Sequence, residues 1–278
     1  MRYLLYNPLS GKGLQAKKDA ECYAVIANVP TKIVAVTEIE NLRTFYDNLE
    51  IGDDVVLFGG DGTLNKAANL LCDSPLQNAI YYYPCGTGND FARDVEITNP
   101  QDLLLVNDYI KGLPSVTVKG KTYKFINGVG YGIDGYCCEV GDALKAQHKM
   151  PNYTSIAIKG LLFHFKPVNA TVTVDGKKST FKKVWIAPTM YGRYYGGGMM
   201  PTPMQNRNEA DKKVSLMVFH GTGKFKTLMI FPSLFKGEHV KHTNNIAVLQ
   251  GKNITVEFDR PTPLQIDGET VLDVSEYT

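Results

Sequence analysis

The run Val55-Val56-Leu57, continuing into Phe58-Gly59-Gly60-Asp61-Gly62-Thr63-Leu64-Asn65, constrains the fold more than any other stretch. A short unbroken apolar run of this kind reads as a buried strand. It enters a turn built from three glycines, and a helical stretch from Leu64 to Leu71 begins at once. Glycines let the backbone turn sharply and approach a ligand closely. The first N–H groups of the following helix form an anion site. Asp61 at the tip would repel a bare phosphate, so a cation is expected between them. The local chemistry points to nucleotide phosphates with a divalent ion. The alternative is a tight strand–helix turn in which Asp61 is only a cap.

The surroundings repeat the pattern. Strand-like Tyr3–Tyr6, Lys32–Val36, Val55–Phe58 and Ile80–Tyr83 alternate with helical stretches over about Leu14–Asn28, Leu42–Leu49, Leu64–Cys72 and, after Pro100, Gln101–Ile110. This alternation predicts a mostly parallel sheet covered on both faces. Ligands of such sheets sit beyond the carboxyl ends of the strands, and the segments 7–13, 59–65 and 84–93 all follow strand ends. After about residue 116 short strands separated by turn signals such as Asp175-Gly176 dominate, with two helical insertions near Tyr153–Phe165 and Lys224–Phe235. The expected architecture is α/β plus all-β: a Rossmann-like parallel α/β domain at 1–115, then a β-sandwich domain at 116–278.

Composition narrows the function classes. A chain of 278 residues with 44% apolar residues can bury two cores. Its net charge of +2 supplies no field for nucleic-acid binding, so anion recognition must be local. Five cysteines with no C-x-x-C pair favour reduced thiols, hence a cytoplasmic setting, over a disulfide framework or zinc site. No run approaches the roughly 20 apolar residues of a membrane span.

Several motifs, in order, carry a resemblance. Asn7-Pro8-Leu9-Ser10-Gly11-Lys12-Gly13, the glycine turn at 59–65, Pro84-Cys85-Gly86-Thr87-Gly88-Asn89-Asp90-Phe91-Ala92-Arg93, Phe125-Ile126-Asn127, Lys236-Gly237-Glu238-His239 and Asp267-Gly268-Glu269 resemble motifs of the diacylglycerol kinase catalytic-domain family. That family is related to sphingosine, ceramide and NAD kinases. The resemblance implies an NAD kinase/diacylglycerol kinase-like fold. It also implies transfer of the γ-phosphoryl group of ATP, with Mg²⁺, to a lipid hydroxyl met at the membrane surface, from the cytoplasmic inner face. NAD kinases share the Gly-Gly-Asp-Gly-Thr loop but carry an Asn-Glu pair in the second motif. This chain has Gly88-Asn89-Asp90 there, which favours the lipid branch. A non-catalytic lipid or nucleotide sensor is the rival of another class, and intact Asp61, Asp267 and Glu269 argue against it.

Roles follow for individual residues. Asn7, Gly59, Gly60, Asp61, Gly62, Thr63, Asn65, Thr87 and Asn89 are expected around the nucleotide, with Asp61 also on the metal. Read locally, Asn7 holds either its own turn or a nucleotide group, and Asp90 can cap the helix that starts at Phe91. The resemblance implies that Asp267 is the general base and Glu269 its support. In a plain strand residues i and i+2 share a face; the alternative is an Asp-Gly turn with a solvated Glu. Tyr195-Gly196-Gly197-Gly198-Met199-Met200-Pro201 resembles the family's glycine-rich segment, which precedes an Asp-Gly pair near a structural Mg²⁺. Here Asp211 is followed by Lys212, which weakens Asp211 as a metal ligand.

Two motifs are decoys. Ser10-Gly11-Lys12-Gly13 lacks the Gly at position 6 and the Ser or Thr at position 13 that a P-loop needs. Gly130-Tyr131-Gly132-Ile133-Asp134-Gly135 matches a dinucleotide fingerprint, but β structure rather than a helix is expected after it. The aromatic–basic stretches Leu161–Lys166 and Phe231–Lys236 suit either an anionic membrane surface or a core, and the core reading is favoured for their phenylalanines.

Overall fold

The protein is described here from a computed structural model, for residues 1–10, 12–73, 77–97 and 102–278. The chain divides into two compact units, Met1–Leu113 and Pro114–Thr278.

In the first unit β1 (Arg2–Tyr6) leads to α1 (Gly13–Ile26), β2 (Thr31–Ala35), α2 (Leu42–Asp47), β3 (Asp54–Gly59), α3 (Asp61–Leu71), β4 (Ala79–Pro84), α4 (Asp90–Asp94), β5 (Leu104–Leu105) and α5 (Asn107–Ile110). The sheet order is β2-β1-β3-β4-β5, parallel except for β5. Val55, Val56, Leu57 and Phe58 of β3 are all buried, as a central parallel strand covered on both faces demands. Ala16 and Ala20 let α1 lie close over Leu4, Val56 and Phe58. The order reverses between β1 and β3, the place where open sheets of this kind bind ligands at strand ends.

Two boundaries differ from expectation. Helix α3 starts at Asp61 rather than Leu64, so Asp61, Gly62 and Thr63 form its first turn. The helix expected over Gln101–Ile110 is largely absent from its described part. Leu104 and Leu105 pair with Tyr82 and Tyr81 instead, leaving the single turn of α5. The cause is a sheet edge that needs closing: Asn107 accepts from the Ile80 amide (2.8 Å) and donates to the Asn78 carbonyl (2.8 Å). Gln101 itself lies outside the described residues.

The second unit runs β6 (Ser115–Val118), β7 (Lys121–Lys124), β8 (Gly128–Tyr131), α6 (Ile133–Ala146), α7 (Tyr153–Lys159), β9 (Val168–Val174), β10 (Lys177–Val184), β11 (Thr189–Met190), β12 (Val214–Phe219), α8 (Lys224–Ile230), β13 (Ile246–Gly251), β14 (Ile254–Ile266) and β15 (Glu269–Tyr277). Its main sheet is antiparallel, in the order β10-β9-β14-β8-β11-β12-β13, with β15 also on β14. The long β14 serves β9 with its first half and β8 with its second, and register shifts along its pairing with β15 mark the bend between them. Trp185, Met217, Phe219, Leu161, Phe165 and Leu234 form the core between this sheet and the helical insertions.

One expectation is overturned here. After Gly132 the chain enters the fourteen-residue helix α6, not further β structure. Packing decides it: a Cβ on Gly135 would stand 1.8 Å from the Pro263 carbonyl oxygen, so the glycine lets α6 lie directly on β14.

Candidate active site

Three loops at the carboxyl end of the first unit's sheet are tied together. The Cys85 amide donates to the Gly59 carbonyl (2.9 Å), which carries the β3–β4 pairing one step beyond the strands. Gly60 and Gly86 then pass so closely that a Cβ on Gly86 would stand 2.3 Å from the Gly60 Cα. Asp61 completes the tie. Its carboxylate accepts from the Asp90 amide (3.0 Å) and the Phe91 amide (2.8 Å), at the start of α4. The first loop joins through Lys12, whose Nζ donates to the Gly86 carbonyl (3.3 Å).

The residues expected at the nucleotide fall into two groups. Gly59, Gly60, Asp61, Gly62, Thr63, Thr87 and Asn89 lie on the joined loops. Asn7 holds its own turn by accepting from the Leu9 amide (3.0 Å). Asn89, with φ of 50°, clasps Gly86 by accepting from its amide (2.9 Å) and donating to its carbonyl (3.2 Å). Asn65 is buried in α3, where its Oδ1 accepts from Asn69 (2.6 Å). Gly86 was not singled out from the sequence, because close backbone approach leaves no pattern in one chain.

Gly62 has a different environment. A Cβ there would meet nothing within 4 Å, so the first turn of α3 is open on the side of Gly62. Two glycine substitutions should therefore behave oppositely. Gly86→Ala forces the loops apart and should cost about 1–3 kcal/mol in urea unfolding. Gly62→Ala should leave the fold intact or stabilise it by about 0.5–1 kcal/mol, since alanine is the better helix former. Equal destabilisation by both would contradict this geometry.

In the second unit Asp267 and Gly268 are the two central residues of a hairpin turn in which Ile266 pairs with Glu269. Their φ angles of 45° and 93° match the Asp-Gly hairpin turn. The plain-strand reading fails here for that reason. Half-buried Asp267 folds back, and exposed Glu269 opens β15. The Asp267 carboxylate accepts from the amides of Ile126 (2.6 Å), Asn127 (3.0 Å) and Gly128 (2.9 Å). Gln265 accepts from the Gly268 amide (2.6 Å) and fixes the turn.

Metal fit is poor in both units. Among the described residues no three His, Cys, Asp or Glu side chains gather as a cage. Both Asp61 oxygens accept from amides. Asp211 Oδ2 lies 2.6 Å from Lys213 Nζ, and that ammonium holds its carboxyl below the usual value. Its buried Oδ1 has no hydrogen-bond partner, the one feature there that a second cation would satisfy.

The remaining motifs prove to be ties. His239, buried, bonds the Pro201 carbonyl (2.8 Å) at the end of the glycine-rich segment. At the start of that segment Tyr195 donates to Asp134. Burial pushes the Asp134 carboxyl up to about 7, and the Tyr195 hydroxyl opposes this. A carboxyl raised in the folded state binds protons more readily there than when unfolded, so stability is full at low pH and falls as pH rises from about 4 towards 7. Unfolding followed by Trp185, the single tryptophan and a member of the same core, should show this fall, up to about 4 kcal/mol. Asp134→Asn should flatten it; an unchanged slope would exclude Asp134 as its source.

The phenylalanines of the basic stretches divide. Phe165 is buried and Phe231 partly so, as the core reading expects, whereas Phe163 and Phe235 are 72% and 46% exposed; on α8, Phe225 and Met229 are 80% and 78% exposed. Lys224 donates to the Leu162 carbonyl (2.6 Å) and so joins α8 to the turn at 160–164. Exposed Lys159, Lys166, Lys224 and Lys226 flank this apolar surface. No helix among the described residues is long and apolar enough to cross a membrane.

Comparison with known proteins fits this geometry. Residues 2–116 match the diacylglycerol kinase catalytic domain, and residues 127–276 match the YegS C-terminal NAD kinase beta sandwich-like domain. A diacylglycerol kinase of Staphylococcus aureus is 32% identical over 96% of this chain and 85% of its own length. One from Mycobacterium tuberculosis is 25% identical over 91% and 84%. A crystal structure of a diacylglycerol kinase from Bacillus anthracis shares the fold, with a TM-score of 0.60 at 17% identity over 99% of this chain and 92% of that one. The chain belongs to the diacylglycerol kinase family, with its parallel α/β domain followed by an antiparallel β domain.

Proposed function

We propose that the protein is an ATP-dependent lipid kinase that transfers the γ-phosphoryl group to a lipid hydroxyl such as that of diacylglycerol. The observation that carries this reading is the joined loop set of the first unit, which leads into the first turn of α3 with the side at Gly62 open. Backbone N–H groups there suit the phosphates of a nucleotide. Gly59, Gly60, Gly62, Thr63, Thr87 and Asn89 shape that site, and Asp61 holds its two glycine loops in register. Asn7 and Lys12 contribute the first loop.

Asp267 acts as general base. As the hydroxyl oxygen bonds to phosphorus and the bond to ADP breaks, the hydroxyl proton passes to its carboxylate. Glu269 adds negative charge to the same turn. Mg²⁺, when bound, neutralises phosphate charge. An ion accompanying the nucleotide would be held chiefly by the phosphates, and Asp61, whose two oxygens already accept from amides, would act on it through its charge. Asp211 keeps its ammonium partner in this reading.

The lipid is met at an anionic membrane surface on the cytoplasmic side. Exposed Phe163, Phe225 and Met229 with their flanking lysines support this. A mass-spectrometric screen of diacylglycerol, monoacylglycerol, sphingoid bases and polyprenols with ATP should yield a phosphorylated lipid. Nucleotide binding with no phosphorylated acceptor would instead make the protein a sensor.

A further inference from the structure

The Ile126–Asn127 peptide group stands end-on between two charges. Its carbonyl oxygen accepts from Arg207 Nη1 (3.0 Å), and its N–H donates to Asp267 Oδ1 (3.0 Å). Arg207 Nη2 also reaches the Asn127 side-chain oxygen (3.3 Å). The guanidinium is buried, 5% exposed, and lies over the Tyr191 ring at 5.6 Å. The segment is pinned further where the Tyr191 and Gly192 amides donate to the Asn127 carbonyl (2.9 and 3.1 Å).

We propose that Arg207 is a positioning residue for Asp267, acting through this peptide group. A cation at the carbonyl end and an anion at the N–H end polarise one amide in the same direction, and hydrogen bonds in such a chain strengthen one another in a low-dielectric interior. The guanidinium fork takes both the backbone carbonyl and the side-chain oxygen, which fixes the plane of the segment whose three amides aim the carboxylate. Lysine has the charge but not the fork, so it should restore only part of the effect. Arg207 sits in the polar run Gln205-Asn206-Arg207-Asn208-Glu209, which carries no periodicity and no motif.

This inference rests on Asp267 being the base, and the test separates the two. Arg207→Met, Arg207→Lys, Asp267→Asn and the Met/Asn double variant are compared by kcat, by KM for ATP, and by the proton shifts of the Ile126, Asn127 and Gly128 amides. The expected result for Arg207→Met is a fall in kcat of about 10–100-fold with KM for ATP unchanged. The Asn127 amide proton should move upfield as its hydrogen bond weakens. Arg207→Lys should recover part of both. On the Asp267→Asn background Arg207→Met should add little, since residues acting as one unit are not additive. Full additivity in the cycle, or an unmoved Asn127 amide in a folded Arg207→Met protein, would overturn the positioning role. Normal turnover in Asp267→Asn would remove the base assignment instead, while the amide shifts would still report whether Arg207 and Asp267 are coupled.

Discussion

Replacing Asp61 by alanine should destabilise the first unit by about 2–4 kcal/mol and abolish nucleotide binding together. Hydrogen bonds to a charged acceptor contribute about 1.5–3 kcal/mol each, and the Asp61 carboxylate takes two, from the Asp90 and Phe91 amides. Without it those donors face no acceptor of their own helix, because the first N–H groups of a helix have none. The two glycine loops then keep the Cys85–Gly59 backbone bond between them and lose the tie through Asp61. Asp61→Asn keeps one oxygen and loses the charge, so its stability loss should be about half as large. Urea unfolding measures the first effect and ATP titration the second. Hydrogen exchange gives the sharpest local readout: the Asp90 and Phe91 amides should lose protection before the rest of the unit. If ATP affinity fell while stability and both amides were unchanged, Asp61 would be a phosphate or metal residue alone and not a tie.

The second large effect is expected at Asp267. Alanine there strands three backbone donors, those of Ile126, Asn127 and Gly128. An unsatisfied donor costs about 1–3 kcal/mol where water cannot replace its partner, so a loss of about 3 kcal/mol or more is expected. Alanine also tolerates the φ of 45° less well than aspartate does. Asp267→Asn should retain part of the anchoring, since one oxygen remains, while its turnover falls about 100-fold or more. Unfolding monitored by Trp185 separates stability from chemistry, because that side chain lies in the core of the second unit. A folded Asp267→Asn protein with near-normal turnover would leave Asp267 as a structural anchor only.

The fold was legible where burial imposes a period or a run. Val55–Phe58 reads as a central parallel strand because all four residues are buried, and their sequence is unbroken apolar. The start of α3 was less legible, since Asp61, Gly62 and Thr63 have turn composition, yet they form the first turn of the helix. Helix α6 was hidden behind the glycines at 130, 132 and 135. Those residues mark close packing, of Gly130 against the Asp134 and Gln265 side chains, of Gly132 against the Trp185 backbone and of Gly135 against Pro263, which a single sequence cannot distinguish from a bent strand. The glycine loops were visible as motifs, yet their joining at Gly60 and Gly86 was not. Asp267-Gly268-Glu269 was visible as a pair of acids, but the partners of Asp267 lie about 140 residues earlier in the chain. They are backbone amides, which have no signature in sequence. Arg207 and the Tyr195–Asp134 pair were missed for a related reason, because their importance lies wholly in what they touch.

The central claim is phosphoryl transfer from ATP to a lipid. The most direct test supplies the full chain with Mg²⁺ and ATP carrying a labelled γ-phosphoryl group, and with diacylglycerol vesicles, NAD⁺ or neither. Label should appear in the lipid with an equal amount of ADP when vesicles are supplied, and neither product should form with NAD⁺ or alone. Label in NAD⁺ with none in the lipid would contradict this claim.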